Sequence, residues 1–180
     1  MIPPGTYEFG PSNGKLLVKT GREGVGGKMG HDLVIEVTRW KATVIIDPND
    51  VSQSTLNATA EIGSFEVREG AGGLKPLSDS DRADIKQTIE NKILDPRQDI
   101  SFRSTSVRPL SENRATVSGD LTIVGVSQPA DLHLTSSGTR ITGTMTVVQT
   151  KYGIKPFKAF MGALKVKDAV EIEIEATVPG

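Results

Sequence analysis

Strict two-residue alternation near the C-terminus constrains this chain more than any other feature. Val170, Ile172, Ile174, Ala176 and Val178 alternate with Glu171, Glu173, Glu175 and Thr177. Successive side chains of a strand point to opposite faces, so this run has one apolar and one solvated face. The same period returns at Ala115, Val117, Gly119, Leu121 and Ile123, and at Ile141, Gly143, Met145 and Val147. Leu56, Ala58, Ala60 and Ile62 follow it too, before the parity switches to Phe65 and Val67. Gly63 lies at that switch, where an inserted residue or bulge flips the facing. Between His31 and Ile46 the parity also changes, from Leu33, Ile35 and Val37 to Trp40, Ala42, Val44 and Ile46. A bend near Arg39 accounts for it. With shorter runs at Lys15–Thr20, Ile100–Val107 and Ala130–Ser137, the pattern predicts about eight strands.

One segment departs from period two. Ile85, Ile89 and Ile93 recur at a spacing of four, and Leu94 widens the stripe. This predicts one short helix near residues 81–94, capped by Ser78 or Ser80, favoured at its start by Asp79 and Asp81, and ended before Pro96. Strands with polar outer faces plus one helix predict an all-β chain, a single antiparallel β-barrel spanning 1–180. Closure removes exposed edges and favours a barrel over a sandwich.

Composition excludes several function classes. Lys+Arg 21 against Asp+Glu 22 gives a net charge of −1 and no electrostatic reason to expect nucleic acid. There is no cysteine, hence no thiolate nucleophile, disulfide or Cys-based zinc site. The start Met1-Ile2-Pro3-Pro4-Gly5-Thr6 has neither a basic nor an apolar leader region, so it reads as part of the domain. Cytoplasm is the expected location, with a mature periplasmic or secreted form left open.

A barrel of about eight strands either fills with side chains or holds one small ligand. The predicted inward positions include the small residues Ala58, Ala60, Ala115, Gly119, Gly143 and Ala176, and aromatic content is only 4 %. A filled core wants bulkier side chains. Small residues along several strands either leave an elongated apolar cavity or let two sheets pack closely, and the pattern alone allows both.

Several motifs appear in a telling order. Gly5-Thr6-Tyr7 opens the chain, Gly30-His31-Asp32-Leu33 leads into the strand reaching Trp40, and Asp47 closes that hairpin. Ile100-Ser101-Phe102-Arg103-Ser104 follows the helix. Gly119-Asp120-Leu121-Thr122-Ile123-Val124-Gly125-Val126 and Tyr152-Gly153-Ile154-Lys155-Pro156-Phe157 come later. This ordered set resembles the YceI-like, polyisoprenoid-binding family over nearly the whole chain. The resemblance implies an extended lipocalin-like barrel of bacterial type, with an isoprenoid-type chain in its tunnel. It tips the balance from filled core toward cavity.

The expected function is therefore a carrier for an elongated apolar ligand, such as a polyisoprenoid, isoprenoid quinone or fatty-acid derivative. No catalytic residue, metal or cofactor is assigned. Strand parity and the resemblance together predict an apolar lining of Leu33, Ile35, Phe102, Leu121, Ile123, Met145, Val147, Phe157, Phe160, Ile172 and Ile174. Two alternatives stand beside it: a barrel isomerase or cyclase using His31 or a buried carboxylate, and an interaction protein with a filled barrel.

The remaining motifs are weaker. His31 and His133 lack metal-ligand spacing, and His31 and Asp32, adjacent on a strand, face opposite ways. His31 is either a hydrogen-bonded residue at one barrel end or a head-group contact. No G-x-S-x-G elbow is present. The glycine-rich stretch Gly21–Gly30 lacks the P-loop's first glycine and its Ser or Thr, which leaves a hairpin loop or pocket flap. Asn57-Ala58-Thr59 is a glycosylation sequon inside a predicted strand, and carries no weight.

Lys151 to Lys167 holds five lysines and no acid, interleaved with Tyr152, Ile154, Phe157, Phe160 and Met161. Its lysines either pair with the Glu171–Glu173–Glu175 face or form a portal that contacts anionic membrane transiently, gated by Phe157, Phe160 and Met161. A homodimer is the other partner expectation.

Overall fold

The computed structural model describes residues 2–180, apart from the surroundings of Gly27 and the side chain of Phe160. The chain forms β1 (Gly5–Phe9), β2 (Gly14–Lys19), β3 (Arg22–Glu23), β4 (His31–Val37), β5 (Trp40–Ile46), β6 (Thr55–Ala60) and β7 (Phe65–Gly72). Helix α1 (Asp79–Thr88) follows, then β8 (Ile100–Ser111), β9 (Arg114–Ile123), β10 (Val126–Ser137), β11 (Arg140–Val148), β12 (Lys158–Ala159), β13 (Leu164–Val166) and β14 (Ala169–Thr177).

Eleven strands make one strongly curled antiparallel sheet in the order β1-β5-β6-β8-β9-β10-β11-β14-β2-β4-β7. The small sheet β12-β13-β3 sits at one end of it. The sequence predicts about eight strands, and the difference has a physical cause. Three long strands are each broken into two: β1 runs into β2, β4 into β5, and β6 into β7. Each pair carries the chain between distant places in the strand order, so the sheet curls round on itself into an extended, lipocalin-like wall.

The two parity switches read from sequence are the two sides of one elbow. At residues 38–39 the first strand of a long hairpin turns, and the second turns opposite it through a short 3-10 segment, Ile62–Ser64. Backbone bonds lock the corner: Thr38 N–H donates to Ser64 O at 2.8 Å, and Glu61 N–H to Arg39 O at 3.0 Å. Arg39 and Glu61 pair across the outside. Inside the corner Ile62 and Ser64 are almost wholly buried. The flip keeps Val37 and Trp40 both on the inner face, where alternation alone would have sent one of them into solvent.

Helix α1 starts two residues earlier than the sequence predicts. Its N-cap is Ser78, whose Oγ accepts from Asp81 N–H at 3.1 Å while the Asp81 carboxylate accepts from Ser78 N–H at 2.9 Å, a reciprocal capping box. The helix ends in a π turn, Ile89–Ile93. It covers the free edge of β7: Arg82 donates to Val67 O at 3.0 Å and Lys86 to Phe65 O at 2.8 Å. Ile85, Ile89 and Leu94 pack onto the core. The β9–β10 hairpin turns at Val124 and Gly125, both at positive φ (51° and 73°), as a tight primed turn requires.

Two of the small inward residues are complements to large neighbours. A Cβ on Gly119 would strike the Arg103 carbonyl and lie 2.6 Å from Cζ of Phe102, so the Phe102 ring occupies that space. A Cβ on Gly143 would meet Leu134 at 2.9 Å and Leu132 at 3.2 Å. Gly119→Ala is therefore expected to destabilise the protein by about 1–3 kcal/mol, the usual cost of overpacking. Urea unfolding measures it; an unchanged midpoint would contradict this account of the β8–β9 contact.

Candidate functional site

The inner faces of the strands enclose a cavity of about 430 Å³, within the range of small-molecule sites. Leu16 and Val18 of β2, Ile35 and Val37 of β4, Ala42 and Val44 of β5, and Leu56 and Ala58 of β6 line one side. Phe102 of β8, Val117, Leu121 and Ile123 of β9, Met145 and Val147 of β11, and Ile172 and Ile174 of β14 line the other. Ala42, Ala58 and Phe102 lie abreast on three neighbouring strands, where two small side chains leave the middle open.

The two ends differ. At the end carrying the β11–β14 connection, buried Ile154 lines the cavity. Tyr152 is buried beside it, which pushes its phenol above the ordinary tyrosine range. At the opposite end Glu112, Asn113 and Arg114 in the β8–β9 turn line the cavity and are exposed, together with Val51. Exposed Leu110 lies next to this rim. The cavity meets solvent there.

The predicted lining residues fall into three groups. Ile35, Phe102, Leu121, Ile123, Met145, Val147, Ile172 and Ile174 lie on the cavity wall. Leu33 and Phe157 do not, which corrects their assignment. Leu33 has inward parity but sits one step past the cavity, packed like Leu77 against the core cluster of Ile35, Phe65 and Val67. Phe157 is 41 % exposed, because the segment after Ile154 leaves the wall and builds the small end sheet. Phe160 lies outside the described side chains. Sequence reasoning missed Trp40, Val44, Leu56 and Val117. Leu56 and Val117 share the parity read as inward in their strands, while the inward facing of Trp40 and Val44 was fixed only by the elbow of the fold.

His31 is off the cavity. Its Nε2 is 2.8 Å from Lys75 O, and its ring packs against Gly73, so it holds the segment after β7. Asp32, facing the other way, pairs with Arg22 at 3.2 Å. His133 Nδ1 lies 3.2 Å from the Thr116 hydroxyl on the outer face. Among the described residues, no group of three or more His, Asp or Glu could hold a metal ion.

The carboxylates held below their ordinary range are all in loops or at helix ends. Asp168 is lowered by bonds from the Thr150 hydroxyl and backbone, Asp50 by the Ser52 hydroxyl and backbone, and Asp95 by Arg97. The backbone and hydroxyl of Ser78 do the same for Asp81. Each fastens a turn, and none lines the cavity.

The glycine-rich stretch 21–30 begins with β3 of the small end sheet and continues as a loop against it, with Gly26 N–H donating to Ala163 O at 2.8 Å. It is not a flap over the open end. The glutamate face of β14 is paired by its flanking strands: Lys19 of β2 meets Glu173 at 2.7 Å and Arg140 of β11 meets Glu175 at 3.0 Å. Pairing of that face by the lysines of 151–167 is thereby corrected. Lys165 pairs instead with Glu23 at 3.0 Å, while Lys151, Lys155 and Lys158 are exposed and unpaired among the described residues.

Fold and cavity define a class: an antiparallel, lipocalin-like barrel with an apolar interior that meets solvent at the β8–β9 turn. The chain belongs to the YceI-like family, whose domain model matches residues 18–178. Burkholderia cenocepacia BcnA has a similar structure, with a TM-score of 0.67 and 18 % identity over 94 % of this chain and 98 % of that one. The Campylobacter jejuni YCEI protein superposes with a TM-score of 0.57 and 14 % identity, covering 81 % of this chain and 84 % of that one. No curated protein sequence matches the chain.

Ala58→Phe should occupy the middle of the cavity. The wild type is expected to take up one N-phenyl-1-naphthylamine per chain with enhanced emission. The variant should lose at least about tenfold in affinity while its unfolding temperature stays close to wild type. Equal uptake by both would place the dye elsewhere.

Proposed function

We propose that this protein binds and carries one elongated apolar molecule inside the barrel, without performing chemistry on it. The observation that carries the proposal is the continuous apolar cavity of about 430 Å³ with its exposed rim at Glu112–Arg114. Apolar burial contributes about 25 cal/mol per Å², so a chain-like ligand is held along its length without a charged anchor. Membership of the YceI-like family adds the ligand class, a polyisoprenoid, isoprenoid quinone or similar chain. The barrel-enzyme alternative draws no support from the carboxylates whose protonation is shifted, since these lie in loops and at a helix start away from the cavity.

Isoprenoid alcohols of increasing length test this reading by competing with the dye. From C10 to C20 the affinity should rise at least about tenfold per isoprene unit, since each buried CH₂ contributes about 0.8 kcal/mol before ordering losses. Affinity independent of chain length would count against a chain lying along the cavity.

A second surface favours contact with anionic membranes. At the end opposite the rim, Val25 is 97 % exposed and Met161 is fully exposed, with Phe157 and Met29 beside them in the small end sheet and its loops. Exposed Lys28, Lys151, Lys155 and Lys158 supply the charge that anionic headgroups complement. Phe157 and Met161 do not line the cavity, so this end docks without gating it. In co-sedimentation the protein should bind vesicles containing phosphatidylglycerol and be lost from them at high salt. Equal binding to neutral vesicles, or none to either, would rule the contact out.

A further inference from the structure

We infer that the ligand carries a hydrogen-bond acceptor, an oxygen in an otherwise apolar chain, that pairs with the indole N–H of Trp40 deep in the cavity. The inference rests on the carrier reading and names what that reading leaves open. Trp40 is the first residue of β5, is 9 % exposed, and forms part of the cavity wall. The six-membered edge of its indole lies against the Gly14–Ala176 region, with Cη2 3.2 Å from where a Cβ on Gly14 would stand. Its Nε1 is buried and has no hydrogen-bond partner among the described residues.

A buried donor left unpaired is expensive, and native proteins satisfy nearly all of them. The side chains packed around it are apolar: Phe9, Ile35, Val37, Ala42 and Ala60 share the same core cluster. The charged and amide residues on the cavity wall lie toward its ends, at Glu112, Asn113 and Arg114 on the rim and at Gln149 by the other end, and Thr59, next to the Trp40 strand partner Ala60, makes no bond to the indole. Trp40 is thus a donor set in the apolar middle. Six residues separate it from Ile46 near the rim, roughly 20 Å along the strand, or about 15 Å of depth once the usual barrel tilt is allowed for. An acceptor reaching it is buried inside the barrel rather than left at the mouth, so a plain hydrocarbon leaves the donor unpaired. An alcohol, ketone, ester or quinone oxygen satisfies it.

Trp40 is the sole tryptophan in the chain, so protein labelled with ¹⁵N in the indole gives one cross-peak that reports this N–H alone. Phytol and phytane, matched in carbon number and differing in the hydroxyl and the adjacent double bond, are the probes. Phytol should move the indole proton downfield and phytane should leave it in place. Trp40→Phe should weaken phytol about tenfold more than it weakens phytane, the worth of one buried hydrogen bond, since the lost wall contacts are common to both. The labelled wild type decides the matter even if the variant folds poorly. Binding of both probes with an unmoved indole resonance, as a resident water on Nε1 would give, overturns the inference and leaves the carrier reading standing. Binding of neither overturns both.

Discussion

The rest of the structure depends on the hydrogen-bonded elbow between residues 38–39 and 61–64. There two strands of one hairpin bend together, held by the Thr38–Ser64 and Glu61–Arg39 backbone bonds. Without the bend, the hairpin would be a flat ribbon, and its alternation would put half of its apolar residues into water. With it, the upper half pairs with β2 on one side and the lower half with β1 and β8. The sheet can then curl round on itself, and Ile35, Val37, Trp40, Ala42 and Val44 all face the same interior.

What that interior contains follows from side-chain volume. Gly119 and Gly143 accept Phe102, Leu132 and Leu134 from their neighbours, which packs the wall itself to ordinary density. Ala42 and Ala58 have no such complement from across the barrel, and the cavity is the space they leave. An apolar void of 430 Å³ kept dry would cost on the order of 10 kcal/mol, as much as the whole stability of a typical domain. An occupant that matches the void turns that deficit into binding energy.

Much of this was legible in the residues. Alternation in β14, β9 and β11 gave the facing of those strands, and the parity breaks at Arg39 and Gly63 marked the elbow. Period-four isoleucines gave the helix, although the Ser78–Asp81 capping box set its start and a π turn its end. The failures have one cause. A strand pattern says which residues share a face, but not where along the barrel the cavity stops. Leu33 therefore seemed as good a wall residue as Ile35, and Phe157 as good as Phe102. Charge pairing follows the sheet in the same way: the lysines of 151–167 are near the β14 glutamates in sequence, while Lys19 and Arg140 are beside them in the sheet. The unpaired indole of Trp40 gave no sequence signal at all, because hydrogen-bond satisfaction belongs to the folded surroundings.

Native mass spectrometry of the purified protein, paired with organic extraction, tests the central claim most directly. The account predicts one apolar adduct per chain, released into solvent as an elongated oxygen-bearing lipid. A clean protein mass that stays unchanged after incubation with polyprenols and isoprenoid quinones would contradict it.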